Sequence, residues 1–349
     1  MMAQKKLHWL DRFIYFLNVV FAFLLLISYL LPFISPKFIP FISILNFGIP
    51  LLILINVLFC AYWILKLKKQ VLLSAIALLL GLNHITSLYV FNEQTSENEV
   101  ISNTSSFKLI SYNVRHFNMH EWIPNTEVTP QIKDFLLKEQ PDFIAFQDFE
   151  FRDDFDLKKI YPYQVQFKKE GNRYLRLSLF SKYPFLKQKN LDFSNTGNGA
   201  FFVDVKLPKD TLRIFNIHLE SLKIKPDVKE LQNEDRNQLI SRVGHSFKKQ
   251  AEQIELILPH LEASPFKNIV IGDFNNTAFS YIYRALKNNN LKDAFKEKGN
   301  GFGKTFDFDF IPIRIDHALV DNEIEVLNFK NYDIQLSDHY PISVEFKLP

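Results

Sequence analysis

Residues 269–277 read Ile-Val-Ile-Gly-Asp-Phe-Asn-Asn-Thr and hold the clearest signal in the chain. An apolar run typical of a strand stops at Gly272, and Asp273 and Asn275 follow within a predicted turn. Side chains two residues apart in an extended chain point the same way, so this strand end can aim a carboxylate and an amide at one point. The pair suits a phosphate or a metal ion. Turns rich in Asp and Asn are common after strands, so the interpretation needs support from the rest of the chain.

The rest of the C-terminal region alternates short apolar runs with turns and a few amphipathic stretches. The apolar runs predict strands at about 107–112, 142–146, 175–180, 200–205, 212–217, 269–271, 314–320, 326–330 and 342–346. Helices are predicted at about 130–138, 240–261 and 279–287, and the polar segment 222–239 is predicted to be an exposed loop. Several adjacent strands lack room for a crossover helix, which argues against a wholly parallel sheet.

Polar residues able to bind a metal ion or a phosphate follow these apolar runs in several places. They are Asn113, Asp148, His218, Asp273 with Asn275, Asp316 with His317, and the segment Ser337-Asp338-His339-Tyr340-Pro341 before the last strand. Each alone has an ordinary structural explanation, such as a turn, a helix cap or a buried histidine. Six such strand ends in one region indicate a shared site.

Seven short motifs together resemble the metal-dependent endonuclease/exonuclease/phosphatase superfamily, whose members include deoxyribonuclease I. The motifs are Ser111-Tyr112-Asn113, Gln147-Asp148, Phe180-Ser181-Lys182-Tyr183-Pro184, Asn216-Ile217-His218-Leu219, Gly272-Asp273-Phe274-Asn275, Ile315-Asp316-His317 and Ser337-Asp338-His339-Tyr340-Pro341. The resemblance covers about residues 106–348. It implies an α+β, DNase I-like fold, a four-layer α/β/β/α sandwich in which two mixed sheets pack face to face.

The resemblance also implies a metal site. Phosphodiester hydrolysis needs a hard cation to neutralise the phosphoryl oxygens and an activated water molecule. Oxygen ligands suit Mg²⁺ or Mn²⁺. By similarity, Asp148 would hold the metal ion, with Asn113 and Asp338 nearby.

Catalytic roles follow from the same resemblance. Asp316 would orient and charge-stabilise His339, a carboxylate–imidazole pair suited to general base catalysis or phosphate binding. Asp273 would position or deprotonate the attacking water. Asn275 and His218, together with His339, would bind the phosphate, and hydrogen bonds from Asn275 and His218 would stabilise the charge that develops on its oxygens. How proton transfer divides between Asp273 and His339 stays open.

Two positions depart from the family pattern. The family usually has glutamate where this chain has Asp148, and the shorter arm moves the carboxylate by about 1–1.5 Å. The metal ion could be held through water, or Glu150 could contribute. Several relatives carry a phosphate-binding arginine where this chain has Asn198-Gly199, and Arg173 or Arg176 could substitute.

Charge is unevenly distributed along the 349 residues, which carry 41 Lys+Arg and 38 Asp+Glu. Residues 1–100 hold seven of the basic and four of the acidic residues, so 34 of each remain in 101–349. The C-terminal region is therefore formally neutral and lacks the basic surplus usual in nucleic-acid-binding proteins. The single cysteine, Cys60, lies in the apolar N-terminal part, which excludes a disulfide framework.

The first ninety residues are strongly apolar. We predict a membrane anchor at 1–92 with three transmembrane helices at about 13–33, 41–65 and 71–91, a linker at 93–105 and the enzyme domain at 106–349. The N-terminus and the loop with Lys66, Lys68 and Lys69 are basic, so the positive-inside bias predicts both to be cytoplasmic. Three crossings would put the C-terminal domain outside the cytoplasm, in the periplasm if the bacterium has two membranes. The protein would be a multi-pass inner (plasma) membrane protein.

Three functions remain open. The leading one is a Mg²⁺-dependent phosphoester hydrolase held at the lipid bilayer, with a lipid or small phosphoester favoured as substrate by the neutral domain and the anchor. A nuclease acting on DNA or RNA is the alternative within this class, because a local basic patch can hide in a neutral total. A non-catalytic binding module that keeps the fold is the alternative from another class. No protein partner is inferred.

Overall fold

The computed structural model describes residues 8–92, 106–124, 126–167, 175–224, 227–309 and 311–349, so the predicted linker at 93–105 lies outside the described residues. Two N-terminal helices are long and apolar enough to cross a membrane, within Trp9–Phe33 and Pro40–Leu65. The first contains α1 (Trp9–Ser28) and the second α2 (Ile49–Leu65). At 20 residues, α1 is about 30 Å long, which matches the hydrocarbon core of a bilayer.

The third predicted transmembrane helix, at 71–91, is not one continuous helix. It consists of α3 (Val71–Leu80) and α4 (Leu82–Leu88), which are bent by 73° at Gly81. The hydroxyl of Tyr29 donates a hydrogen bond to the Ala77 carbonyl at 3.1 Å, and Gly81 N bonds the Leu78 carbonyl instead. The Tyr29 ring fills the space where a side chain at 81 would lie. Intrusion into the helical hydrogen-bond ladder explains the bend.

Buried polar side chains join the three N-terminal segments. Ser74 on α3 accepts a hydrogen bond from Asn18 at 2.5 Å and donates to Asn56 at 2.8 Å, and Trp63 Nε1 donates to Asn18 at 2.9 Å. Such bonds hold helices together where lipid removes the hydrophobic drive for association. The helices therefore form one unit, which we call the N-terminal bundle (residues 8–92).

The C-terminal region contains two six-stranded sheets and a hairpin. Its strands are β1 Phe107–Asn113, β2 Phe143–Gln147, β3 Tyr163–Val165, β4 Leu177–Ser181, β5 Phe185–Leu191, β6 Gly199–Lys206, β7 Thr211–His218, β8 Lys267–Asp273, β9 Leu291–Asp293, β10 Phe306–Phe308, β11 Ile311–Ile313, β12 Asp316–Asp321, β13 Glu325–Asn331 and β14 Ile342–Lys347. The strand orders are β13-β14-β1-β2-β4-β3, β5-β6-β7-β8-β12-β9 and β10-β11. Only β1–β2 and β7–β8 pair in parallel among the described strands, so both large sheets are mixed, as predicted.

The two large sheets share an apolar core. Residues from both, among them Leu109, Leu179, Val203 and Ile269, belong to one buried cluster. Five further helices are α5 Val128–Glu139, α6 Val228–Asn233, α7 Arg236–Glu262, α8 Tyr281–Lys287 and α9 Ala294–Lys298. Apolar residues of α5 pack with the first sheet, and those of α7 and α8 pack with the second.

The predicted exposed loop at 222–239 is partly wrong, since α6 and the start of α7 lie within it. Asp235 caps α7 by accepting a hydrogen bond from the backbone N–H of Gln238 at 2.8 Å. The first turns of α7 are mostly exposed and polar, so the sequence has no apolar periodicity there that would indicate a helix. The other predicted helices and strands are present with shifted ends, and strands β3, β5, β9, β10 and β11 and helix α9 were not predicted.

Candidate active site

Strand register places three candidate residues side by side in the second sheet. His218 at the end of β7 pairs with Asp273 at the end of β8, and Asp273 pairs on its other side with Asp316 at the start of β12. Directly opposed residues have their Cβ atoms about 4.5–5.5 Å apart on one face of a sheet. All three are at least 95% buried. Asp273 is therefore the centre of the row.

The turn after β8 shapes the site through its backbone. Gly272 has φ +136°, and an added Cβ would lie 2.1 Å from the Ile217 carbonyl oxygen, so only glycine fits. Asn275 has φ +49°, a left-handed conformation that asparagine tolerates. Its N–H donates to Asp273 Oδ1 at 2.8 Å, which closes the turn. The amide of Asn275 thereby comes beside the carboxylate.

Nitrogen atoms from four residues surround Asp273 Oδ2. The amides of Asn113 and Asn275 donate to it at 3.0 and 3.2 Å. His218 Nε2 lies 3.3 Å from it and His339 Nε2 lies 3.7 Å from it. Asn113 comes from the first sheet, so the site spans both sheets. Residues of both sheets therefore converge on Asp273 Oδ2.

His339 and Asp316 form a buried pair. His339 Nδ1 lies 2.9 Å from Asp316 Oδ2, which leaves Nε2 facing Asp273. Burial lowers the pKa of His339, but the carboxylates of Asp316 and Asp273 outweigh it and raise this pKa well above its ordinary value. Burial raises the pKa of Asp316, and His339 opposes that rise. The imidazole is therefore a cation at neutral pH that can donate from both nitrogens.

The three predicted metal-binding residues lie on the first-sheet side of Asp273. Asp148 Oδ1 is 3.7 Å from His218 Nδ1, and its backbone is left-handed with φ +46°. Asp338 lies close to Asn113, because the Ser337 hydroxyl donates to the Asn113 carbonyl at 2.9 Å and lies 3.3 Å from Asp338 Oδ1. The structure thus brings together the eight residues predicted for catalysis, phosphate binding and metal binding.

A left-handed turn after β1 adds residues that the sequence did not reveal. Arg115–Asn118 have φ between 41° and 60°. This left-handed conformation costs about 1–2 kcal/mol for each residue other than glycine, asparagine or aspartate. Arg115 Nη1 pairs with Asp338 Oδ2 at 2.7 Å and stacks on the Trp122 ring at 3.5 Å. His116 Nε2 lies 3.8 Å from Asp148 Oδ1. None of the four is glycine, so no residue signal pointed to this turn.

Two residues that could replace groups usual in the family lie at the edge of the site: Glu150, for the metal-binding glutamate, and Arg176, for the phosphate-binding arginine. Arg176 Nη1 is 3.0 Å from His116 Nε2, and its Nε is 3.7 Å from Glu150 Oε1. Glu150 Oε1 is also 3.5 Å from His116 Nδ1. Arg173 lies outside the described residues. His317 points away from Asp273 and contacts Arg314 instead, with Nδ1 2.9 Å from Nη1.

Comparisons with known proteins agree with this fold. The structure resembles three proteins from two Bacteroides species. Each match covers 69–71% of this chain and the whole of the other protein's chain. They are an endonuclease/exonuclease/phosphatase from Bacteroides vulgatus (70% of this chain, TM-score 0.54, 18% identity), a family protein from Bacteroides thetaiotaomicron (71%, 0.54, 17%) and the mannosyl-6-phosphatase Bt3783 of Bacteroides thetaiotaomicron (69%, 0.53, 16%). At these identities the likeness shows the fold alone.

The sequence comparisons divide the chain as its structure does. A search of curated proteins found no match. A domain family of unknown function matches residues 11–88, within the N-terminal bundle. The profile of the Endonuclease/Exonuclease/phosphatase family matches residues 110–339, which is more than half of the chain. The chain therefore belongs to the endonuclease/exonuclease/phosphatase family.

Proposed function

We propose that the protein is a Mg²⁺-dependent phosphoester hydrolase whose catalytic domain, a four-layer α/β/β/α sandwich, is anchored outside the cytoplasm by its N-terminal bundle. One observation carries the proposal. Asn113, His218, Asn275 and His339, from four separate segments, all direct nitrogen atoms at one buried carboxylate oxygen of Asp273. A fold alone does not require such convergence of buried polar groups, which cost free energy to desolvate.

The residues present fit a hard divalent cation. The Asp148 carboxylate has imidazole nitrogens at 3.7 and 3.8 Å and no closer cationic partner among the described residues, so it is free to bind a metal ion. Asp148, Asn113 and Asp338 would hold the ion, since carboxylate and amide oxygens suit Mg²⁺ or Mn²⁺, and Asp338 would exchange its ion pair with Arg115 for the metal ion. When bound, the ion would neutralise phosphoryl oxygens. Asp273, Asp316 and His339 also offer one ligand atom each within 4.8 Å of one another, but a cationic His339 has no free nitrogen lone pair for a metal ion, so we do not assign the ion to this group.

The chain's own residues divide the work of hydrolysis. Asp273, whose carboxylate is positioned by its N–H donors, accepts the proton of the attacking water as the water oxygen bonds to phosphorus. His339, held cationic by Asp316, donates from Nε2 to a phosphoryl oxygen. Asn275 and His218 donate to the same developing charge. The bond from phosphorus to the ester oxygen then breaks, its electron pair leaves with that oxygen, and the alkoxide takes up a proton to become the alcohol as Asp273 releases the one it accepted. The raised pKa of His339 is what favours Asp273 over His339 as the base.

Charge at the two ends of the bundle supports the orientation. At one end of the bundle, the Tyr62 hydroxyl donates to the Asp11 carboxylate at 2.6 Å, and Lys66 lies 3.4 Å from the same carboxylate. Lys68 and Lys69 follow Lys66 closely in the sequence. At the opposite end, the 3₁₀ segment Pro40–Gly48 packs on α7 of the catalytic domain. The positive-inside bias puts the basic end in the cytoplasm and the catalytic domain on the other side.

Contact with the bundle also supports a substrate at the membrane surface, a lipid or small phosphoester. Phe279, six residues after Asp273, is buried in an apolar cluster with Leu25, Ile49 and Ala77 of the bundle. Six residues span at most about 20 Å, so the reacting centre lies within that distance of the bundle. Phosphoesters on the extracytoplasmic surface of the same membrane are at high local concentration for an enzyme held there.

The full chain in detergent should hydrolyse bis(p-nitrophenyl) phosphate with Mg²⁺, and EDTA or His339→Ala should abolish the activity. Equal rates in all three cases would refute the proposal. A panel of phospholipids, inositol phosphates, supercoiled DNA and RNA then separates the substrate classes, and hydrolysis confined to nucleic acid would favour a nuclease. A reporter fused after residue 95 tests the orientation, since a cytoplasmic signal contradicts it.

A further inference from the structure

Two sets of contacts connect the N-terminal bundle to the catalytic loop, residues 273–279. The first is aromatic. The ring of Phe279 stacks on His84 of α4, with centroids 5.9 Å apart and planes within 9°, and His84 packs on Tyr29 at 4.6 Å. Phe279 is 4% exposed, and it is the one residue of the catalytic domain among the buried members of this apolar cluster in the described parts of the chain. The side chain of the last residue of the loop is therefore buried against the bundle.

The second set is a buried chain of hydrogen bonds. Arg314 donates to the Ser87 carbonyl of α4 at 3.2 Å and to Asp293 at 2.9 Å, and its Nη1 lies 2.9 Å from His317 Nδ1. A guanidinium group only donates, so His317 Nδ1 accepts and Nε2 carries the proton. That Nε2 then donates to the Asn276 carbonyl at 2.9 Å. Arg314 and His317 thus tie the end of α4 to the loop.

These contacts hold the loop at two points that directly follow its functional part, residues 273–275. The aromatic contact fixes residue 279, and the hydrogen-bond chain fixes the backbone of Asn276, which directly follows Asn275. Asp293 compensates the buried charge of Arg314, so removal of either partner would leave a buried group unpaired. Both sets of contacts reach α4, the short helix beyond the bend at Gly81.

Resting on the proposed hydrolase function, we propose that the N-terminal bundle is a positioning element of the active site as well as an anchor. His84, Phe279, Arg314 and His317 are positioning residues, because they act on the reacting groups only through the loop. Small displacements of catalytic groups are costly, since a shift of about 1 Å can slow a reaction by about a hundredfold. The bundle therefore contributes to turnover even when the substrate is soluble.

The test uses the full chain in detergent and the soluble substrate bis(p-nitrophenyl) phosphate with Mg²⁺, so that access to a membrane is not a variable. His84→Ala should lower kcat by about ten- to a hundredfold with KM within twofold of the wild type. His84→Phe keeps a stacking ring and should restore kcat. Phe279→Leu, which keeps apolar burial but removes the ring stack, should also lower kcat.

A matched control removes another contact between the bundle and the catalytic domain. Phe33 lies 3.9 Å from the Arg284 guanidinium on α8, outside the loop, so Phe33→Ala should keep the wild-type kcat. An equal loss in Phe33→Ala and His84→Ala, or wild-type kcat in His84→Ala, would overturn the inference.

A readout independent of turnover separates this inference from the proposed function. Amide hydrogen exchange of residues 274–280 should be faster in His84→Ala than in the wild type and unchanged in Phe33→Ala. If the wild type shows no metal-dependent hydrolysis, the proposed function fails. Unchanged exchange of this segment in His84→Ala would overturn the positioning role whether or not hydrolysis is found.

Discussion

The buried pair of His339 and Asp316 allows the most direct test of how the site works. Asp316→Asn keeps the size and shape of the side chain but removes its negative charge. In the wild type, Asp316 Oδ2 lies 2.9 Å from His339 Nδ1, and both residues are at least 95% buried. Water is therefore excluded as a replacement partner for His339. We expect a loss of activity with little change in fold.

The magnitude follows from the lost negative charge of the acceptor. A buried donor left without its charged acceptor costs about 1–3 kcal/mol, and each 1.36 kcal/mol in a barrier is tenfold in rate. We therefore expect kcat to fall by about five- to 150-fold in Asp316→Asn. Without the carboxylate of Asp316, the pKa of His339 also falls. The imidazolium then loses its proton at lower pH, so the alkaline limit of activity should move to lower pH.

The assay is the pH dependence of kcat for hydrolysis of bis(p-nitrophenyl) phosphate by the full chain. Asp321→Asn is the matched control, because it makes the same change at the opposite end of β12, where Asp321 is also buried and accepts from the Glu323 N–H at 3.0 Å. Wild-type kcat with an unmoved alkaline limit in Asp316→Asn would refute the role given to this pair. So would an equal loss in Asp321→Asn.

Three further changes test other parts of the structure. Gly272→Ala should lower the Tm sharply, because its Cβ would lie 2.1 Å from a carbonyl oxygen of β7, whereas Gly197→Ala meets nothing within 4 Å and should keep it. Burial, followed by the charge of Arg314, lowers the pKa of His317 to about 3, so the free energy of unfolding should fall as pH drops below about 6.5, by up to about 1.4 kcal/mol per unit. His317→Gln should flatten this slope in denaturant titrations, and an unchanged slope contradicts the assignment. Asp148→Asn should raise the Mg²⁺ concentration for half-maximal activity by on the order of tenfold or more, while Glu150→Gln should not.

The strands that carry the site were predictable because each is buried on both faces. A strand of this kind is mostly apolar, so β1, β2, β7 and β8 stand out in the sequence, and a polar residue ends each of them. The motif that follows β8 shows the limit of this reasoning. Asp273 was identified as a candidate, but its place between His218 and Asp316 depends on strand register, which no local pattern specifies.

Arg115 could not be found from the sequence for a related reason. Its function in the structure is an ion pair with Asp338, 223 positions away, made through a left-handed turn in a segment without glycine. Local propensity argues against that backbone conformation, and only tertiary contacts stabilise it. Backbone strain of this kind is concentrated at functional sites, and these are the places where structure prediction from local sequence patterns fails.

The third N-terminal segment differs from the single continuous helix that was predicted, for a reason that bears on function. Hydropathy averages over a window, so Asn83 and His84 weakened the signal at 71–91 without indicating a bend. The bend at Gly81 turns α4 away from the direction of α3, and this places His84 on Phe279 and the Ser87 carbonyl on Arg314. A straight helix would continue along the direction of α3 and could not present both groups to the catalytic domain in this way. The departure from a simple transmembrane helix is therefore the feature that joins the bundle to the loop of Asp273.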